Sequence, residues 1–352
     1  MSLVINKKVA SILPSASSGG VHDACAVFGK EEKCKIGMSK IESGCNYNSH
    51  HLGIDKMTVL LPVESEEARD FIENVLISCG KGMGFKRIFG KQPKTWSKKP
   101  KLIYRKKWKS TIASHFFLEI MPIFPGVPYV RVTLNPSKMG AQGIAVAKSQ
   151  LNVLLSPSGY KSLVLDGRIA YMEVCFDVPA EKSALSLYCN RVHSSPDYSP
   201  NKQDGTHYFG KKSSSLSFKV YNRKKKMQRV EQEAVPEEHM TRLEAMVKHV
   251  AFNELTDMAT PFTRLHVFET AKLDIDNAVK DPASFKEIMH AENFFSAMKS
   301  LPHYRRQKAM LHFASAIPAW WSPTDTWKKQ WSGLIAQYGL LSSSCNPLLK
   351  VA

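Results

Sequence analysis

The chain has 352 residues, an ordinary share of apolar and aromatic side chains, and a formal net charge of +18 with a pI near 9.5. That length supports a full core and about two domains, and the composition excludes global disorder. No apolar run reaches the ~18 residues of a membrane span and the N-terminus lacks a signal-peptide h-region, so a cytoplasmic protein is expected.

Residues 1–50 are rich in Gly, Ser, Asn and Lys without periodicity and read as an irregular N-terminal arm. "GIDKMTVLLPV" is a strand, and "ESEEARDFIENVLISCG" a helix through Ala68, Phe71, Ile72, Val75 and Leu76, with acids in its first turn and Gly80 past its end. Residues 81–110 follow, rich in Lys and Arg with no Asp or Glu, and read as two strands with a loop around 93–100. "HFFLEIMPIF" and "YVRVTLNP" are strands joined by the turn "PGVP"; "SQLNVLLSP" suits a short helix or a strand equally. "RIAYMEVCFDV" is a strand with Glu173, Cys175 and Asp177 on one face, and "SALSLYCNRV" fits a helix. "THYFG" and "SLSFKVY" form a hairpin, and "TRLEAMVKHV" is a strand with Arg242 and Glu244 on one face. Beyond residue 250 the spacing turns helical, with Asp281–Pro282 and Ser322–Pro323 opening helices and Gly339 closing the last. The expected fold class is α+β: a mixed or antiparallel β-sheet body with flanking helices and a helical C-terminal region, divided as 1–50, 51–250 and 251–352.

So large a positive excess asks for a polyanionic partner, and nucleic acid is the default. Phe85, Phe89, Trp96, Tyr104 and Trp108 are interleaved with the first basic block, as on surfaces where cations hold phosphates and rings meet bases; rings packed in a core are the ordinary alternative. Lys86, Arg87, Lys98, Lys99, Arg105, Lys106 and Lys107 are the candidate DNA contacts there, and Lys211, Lys212, Lys224, Lys225 and Lys226 in the acid-free stretch 211–229. The seven cysteines include no C-x-x-C pair and read as reduced thiols; Cys25, Cys34 and Cys45, near His50 and His51, match no usual zinc spacing. Walker A, G-x-G-x-x-G, H-E-x-x-H, G-x-S-x-G and His-hydrophobic-His motifs are all lacking.

What remains is carboxylates on strands and Tyr221 beside a basic run. Phosphoryl transfer to a side chain needs a hydroxyl, positive charge against the phosphate oxygens, and usually a divalent ion such as Mg2+ or Mn2+ held by carboxylates. Tyr221 would attack, Lys219 or Arg223 would lower its pKa from ~10, and Glu173, Asp177 and Glu244 are candidate metal ligands. Glu173 and Asp177 stand about 13 Å apart along a strand, so one of them would pair with Glu244 from a neighbouring strand. The plainer reading pairs each carboxylate with a surface Lys or Arg and packs Tyr221 as an ordinary ring.

"GTHYFGKKSSSLSFKVYNRKKKMQ" resembles a stretch of the replication initiators of staphylococcal rolling-circle plasmids, which have filamentous-phage relatives. Their pattern is Gly–Thr–x–Tyr–x–Gly–Ser–Arg–x–Ser followed by a strand ending in Tyr–(Glu/Asp)–Lys. "MEVCFDV" is similar to the family's "Ile-Asp-x-Ala-x-Asp" strand with Glu173 in the first Asp place, "MTRLEAMVK" to its Arg-x-Glu strand, and "GIDKMTVLLPV" to its opening strand. The resemblance spans residues 53–250 and is specific only at 205–228. It implies metal-dependent nicking of one origin strand through Tyr221, a 5′-phosphotyrosine with a free 3′-hydroxyl primer, and recruitment of a host helicase, with oligomers possible and no membrane partner. Some relatives carry a second tyrosine four positions on; here that place holds Lys225, which leaves Tyr221 or Tyr208 as nucleophile. The alternatives from other classes are a non-catalytic DNA-binding regulator or packaging protein, and an RNA-binding or virion-internal basic protein.

Overall fold

Runs in which branched or aromatic residues alternate with polar ones build the frame, because such side chains suit a pleated surface. The computed structural model describes residues 51–88, 103–155, 159–190, 206–211, 213–228 and 241–341. The expected arm 1–50, with Lys98, Lys99 and Lys212, lies outside them.

One large sheet holds β1 (His51–Leu61), β2 (Phe85–Ile88), β3 (Tyr104–Ser110), β4 (Phe117–Pro122), β5 (Val130–Leu134), β6 (Arg168–Val178), β8 (His207–Phe209), β9 (Leu216–Asn222), β10 (Thr241–Val247) and β11 (Val250–Ala251). Its order is β2-β3-β4-β5-β1-β6-β10-β9-β8, with β11 beside β6, and every pairing is antiparallel. A second sheet pairs β7 (Leu185–Cys189) with β12 (Leu265–Glu269).

Along each central strand one set of side chains is apolar and buried: Ile54, Val59, Val132, Val174, Phe176, Leu243, Ala245, Phe218 and Val220. Helices cover this face. α1 (Glu66–Ser78) is capped by the Ser65 hydroxyl accepting from the Ala68 amide, with Glu66 and Glu67 in its first turn. α2 (Pro136–Leu154) opens on Asn135 and Pro136 and is kinked at Gly140, whose φ of 61° suits glycine. α3 (Gly159–Asp166) and α9 (Pro323–Tyr338) lie with α2 against β1, and α1 packs on α2. α9 stops where Gly339 turns left-handed, and Trp327 and Trp331 donate their indole N–H groups to Met258 O and Leu255 O at 2.8 and 2.7 Å. The short α4 (Arg223–Lys226) follows β9 directly, capped by the Asn222 side chain on the Lys225 amide. α5 (Ile275–Ala278), α6 (Pro282–Ala291), α7 (Phe294–Ser300) and α8 (His303–His312) complete the C-terminal part.

The α+β class stands as expected, with four local differences. "SALSLYCNRV" contains strand β7, not a helix, because its apolar run finds a partner in β12. That partner puts a strand into a stretch read as helical. "SQLNVLLSP" supplies the end of α2, whose glycine-rich beginning gave no helical signal. The helix read through residues 281–301 is two, because Asn293 leaves the helical path and its side chain caps Ser296. Among the cysteines, Cys175 and Cys189 are free and buried, whereas Cys79 is disulfide-bonded, which departs from an all-thiol chain.

Burial raises Cys175 and Cys189 from 9.0 to about 12, and Tyr104 from 10.0 to about 12. A group with a raised folded-state pKa stabilises the fold fully below its unfolded value and loses that contribution as pH rises through the folded value. Thermal unfolding followed by circular dichroism is therefore expected to give a flat Tm from pH 7 to about 8.5 and a steep fall between about pH 9 and 12. Each group contributes up to about 1.4 kcal/mol per pH unit in that window. A Tm unchanged to pH 11 would contradict the burial of these groups.

Candidate active site

Opposite the helices, the second set of side chains on the central strands is charged. Register places them. Asp177 of β6 lies opposite Arg242 of β10, which lies opposite Tyr221 of β9; two residues along, Cys175, Glu244 and Lys219 form the next row. Tyr208 of β8 stands opposite Lys219 and closes that row. In β1 the pairing slips between Ile54 and Lys56, and the extra residue is Asp55.

The first row is an ion-pair cluster. Arg242 reaches Asp177 with two bonds, Nε to Oδ1 at 2.6 Å and Nη2 to Oδ2 at 2.8 Å, and its remaining Nη1 meets Asp55. Arg223, at the start of α4, also pairs with Asp177, which is 0% exposed. A fully buried carboxylate needs such partners, and the planar guanidinium fork matches it better than a lysine would.

The phenol of Tyr221, itself in the first row, reaches into the second. The Tyr221 hydroxyl donates to Glu244 Oε1, while Lys219 Nζ donates to Glu244 Oε2 at 2.5 Å. Lys226 Nζ donates to the Tyr221 oxygen at 3.2 Å and sits 4.5 Å from the ring centroid, with Lys219 Nζ at 4.9 Å. Tyr221 is 4% exposed, and its hydroxyl ends in a polar cluster rather than an apolar core. Burial, followed by the Glu244 charge, pushes its pKa well up, and Arg242 offsets only part of this. That reverses the expected lowering by Lys219 or Arg223: Lys219 is already committed to Glu244, and Arg223 to Asp177. Burial pulls Lys219 down, but Glu244 outweighs it and leaves this ammonium harder to deprotonate than usual.

Glu173, one diagonal from Glu244 across β6 and β10, accepts from the Tyr171 hydroxyl two residues back on the same face. The sequence reading brought Tyr221, Lys219 and Glu244 together, and the fold does so too; it does not bring Glu173, Asp177 and Glu244 onto one point. Among the described residues, no group of three or more His, Cys, Asp or Glu could hold a metal ion. Asp177 and Glu244 each spend both oxygens on neighbouring donors, so in this arrangement the donor set does not fit Mg2+ or Mn2+.

The basic block divides between the two faces. Lys86 lies opposite Lys109, and Lys107 opposite Glu119, which also pairs with Arg131 at 3.2 Å. Lys86, Arg105, Lys107 and Lys109 thus share the face that carries Tyr221, and Lys107 Nζ lies 5.2 Å from the Phe117 ring centroid. Lys106 and Arg87 turn to the helix side, where Lys106 pairs with Glu73 and Arg87 lies over the buried Trp108. Of the aromatic residues read here, Phe85, Tyr104 and Trp108 belong to the core. Lys211 is exposed, and Lys224, Lys225 and Lys226 continue the basic surface along α4 beside Tyr221.

Asp55, Tyr171, Lys109 and Arg131 were missed by the sequence reading. Tyr171 was accessible to it, since the alternation that joins Glu173 to Asp177 includes residue 171. Asp55 was not, because a bulge breaks that alternation.

No protein-family model matches the chain, and no curated protein is similar to it. Among solved structures, the rolling circle replication initiator protein from Geobacillus stearothermophilus aligns at 11% identity over 70% of this chain and 99% of that one, with a TM-score of 0.36. A likeness of that size carries no argument about chemistry.

Proposed function

We propose that this chain is a rolling-circle DNA replication initiator that cleaves one strand through Tyr221. The observation that carries the reading is a phenol bonded to a carboxylate and flanked by two ammonium groups, on the face of a sheet lined with lysine and arginine. At rest the phenol is neutral, so its proton leaves as attack proceeds, and Glu244 is placed to accept it. Tyr221 Oη bonds to phosphorus, the P–O3′ bond breaks, and the proton passes to the departing 3′-oxygen. Lys219 and Lys226 face the developing negative charge. The Arg242–Asp177–Asp55 cluster holds β1, β6 and β10 in register and so positions the row beside it. Each of these steps uses this chain's own side chains.

The near-complete burial of Tyr221 favours one other reading, a DNA-binding regulator without strand cleavage. Supercoiled plasmid carrying the DNA that flanks this chain's gene separates the two, incubated with Mg2+, with Mn2+ or with EDTA. Relaxation and a covalent protein–DNA adduct are expected. Tyr221→Phe is expected to lower the adduct at least about a hundredfold, in line with loss of a nucleophile, and to leave DNA affinity within about twofold. Affinity is also expected to survive EDTA, because the basic face carries it. An adduct undiminished in Tyr221→Phe, or none under any of the three conditions, overturns the enzyme reading.

A further inference from the structure

Phe85, Tyr104 and Trp108 of the basic block turn to the core, but two other rings reach the basic face: Phe117 of β4 and Tyr171 of β6, both partly exposed. Register sets them in one line. Across β3, β4, β5, β1 and β6 that line reads Lys109, Phe117, Thr133, Thr58 and Tyr171. The threonines between the rings are short, and their hydroxyl oxygens lie 3.3 Å apart, so neither stands up between them. The Tyr171 hydroxyl donates to Glu173, which draws its ring along the strand. Lys56 Nζ lies 5.7 Å from the Tyr171 ring centroid, and Lys107 Nζ 5.2 Å from that of Phe117. Three strand spacings separate the two rings, about 14 Å, which is also the length of roughly four steps of a stacked strand.

We propose that Phe117 and Tyr171 are stacking platforms for unpaired bases, so that this face selects a single DNA strand over a duplex. This rests on the proposed function, which brings the strand to the face. A core role does not account for the two rings, because the buried side chains beside them, Leu118, Ile120, Met172 and Val174, point to the helix side. Exposed rings between ammonium groups suit one occupant well: Lys56, Lys107 and Lys109 meet phosphates, and each ring takes the face of one base. A duplex keeps its base faces stacked on one another and offers such rings nothing. The row that holds Tyr221 passes through Asp177, six residues along β6 from Tyr171, or about 20 Å. The platforms therefore hold the strand at a distance from the phosphate that is cut, and they take no part in the bond exchange.

The test is binding by the full chain to a single-stranded 30-mer, to the same sequence as duplex, and to an abasic strand carrying the same phosphates. Phe117→Leu and Tyr171→Leu are each expected to weaken the single strand at least about fivefold, the lower end for one base stacked on a ring. The salt slope should not change, because no phosphate contact is lost. Affinity for the duplex and the abasic strand should move by less than about twofold. Tyr171→Phe, which keeps the ring without the hydroxyl, should bring back the parent affinity. The unaltered chain gives a second measurement that no folding defect can disturb. Irradiated with a 5-iodouracil strand, it is expected to crosslink at Phe117 in the tryptic peptide 110–131 and at Tyr171 in 169–182. Equal losses on all three 30-mers, or crosslinks that avoid both residues, overturn the inference and leave cleavage by Tyr221 standing. Platforms that behave as expected in a chain that forms no Tyr221 adduct support the inference, overturn the enzyme reading, and give the rings to a DNA-binding regulator.

Discussion

Replacing Arg242 with Leu is expected to destabilise the chain by about 3–5 kcal/mol, read as a fall in the urea midpoint at unchanged slope. The cause is what remains behind. Asp177 is 0% exposed, and removing the guanidinium takes away its two bonds at 2.6 and 2.8 Å as well as the contact to Asp55. Arg223 still touches Asp177, which places the effect toward the lower end of that range. Arg242→Lys should recover little, because a single ammonium cannot span both oxygens of Asp177 and Asp55 together. Adding Asp177→Asn to Arg242→Leu removes the stranded charge, and the double variant should be more stable than the sum of the two single effects by about 2–3 kcal/mol. Simple additivity would mean that the pair is not buried as described.

How much of this was legible beforehand depends on the range of the interaction. The period-two alternation of "RIAYMEVCFDV" and "SLSFKVY" is local, and it correctly put Glu173, Cys175 and Asp177 on one face and Lys219 with Tyr221 on another. Whether those faces meet is a question of strand order, which no local pattern contains. β10 lies between β6 and β9, and this neighbour relation makes Arg242 the partner of Asp177 and leaves Glu244 to Tyr221. Free carboxylates and a free lysine suggested a metal and a lowered phenol pKa; once the strands are side by side, the acids and bases neutralise one another first. Bulges and glycines hid the rest. Asp55 sits at a register slip, and the start of α2 looks like a loop because Pro136, Gly140 and Gly143 interrupt its spacing.

The same reasoning sets the largest expected effect on binding. Lys86, Arg105, Lys107 and Lys109 lie on the face of β2 and β3 that continues into the Tyr221 rows, while Lys106 and Arg87 point to the helix side. If each of the four meets one phosphate of a single strand, replacing all four with Gln removes about 2.8 from the slope of log K against log[salt], at about 0.7 per contact. At 0.1 M salt that corresponds to a loss of nearly three orders of magnitude in affinity. The fold should tolerate the change, because Lys86, Arg105 and Lys109 are exposed and Lys107 contributes only a partly exposed pair with Glu119 at 3.4 Å. Lys106→Gln and Arg87→Gln together form the control: they touch Glu73 and Trp108 and should alter stability while leaving the salt slope within about 0.3. Fluorescence anisotropy with a labelled single-stranded 30-mer, titrated from low to high salt, reads both numbers. Equal slopes for the fourfold variant and the parent chain would move the DNA off this face and take from Tyr221 the strand it is proposed to cut.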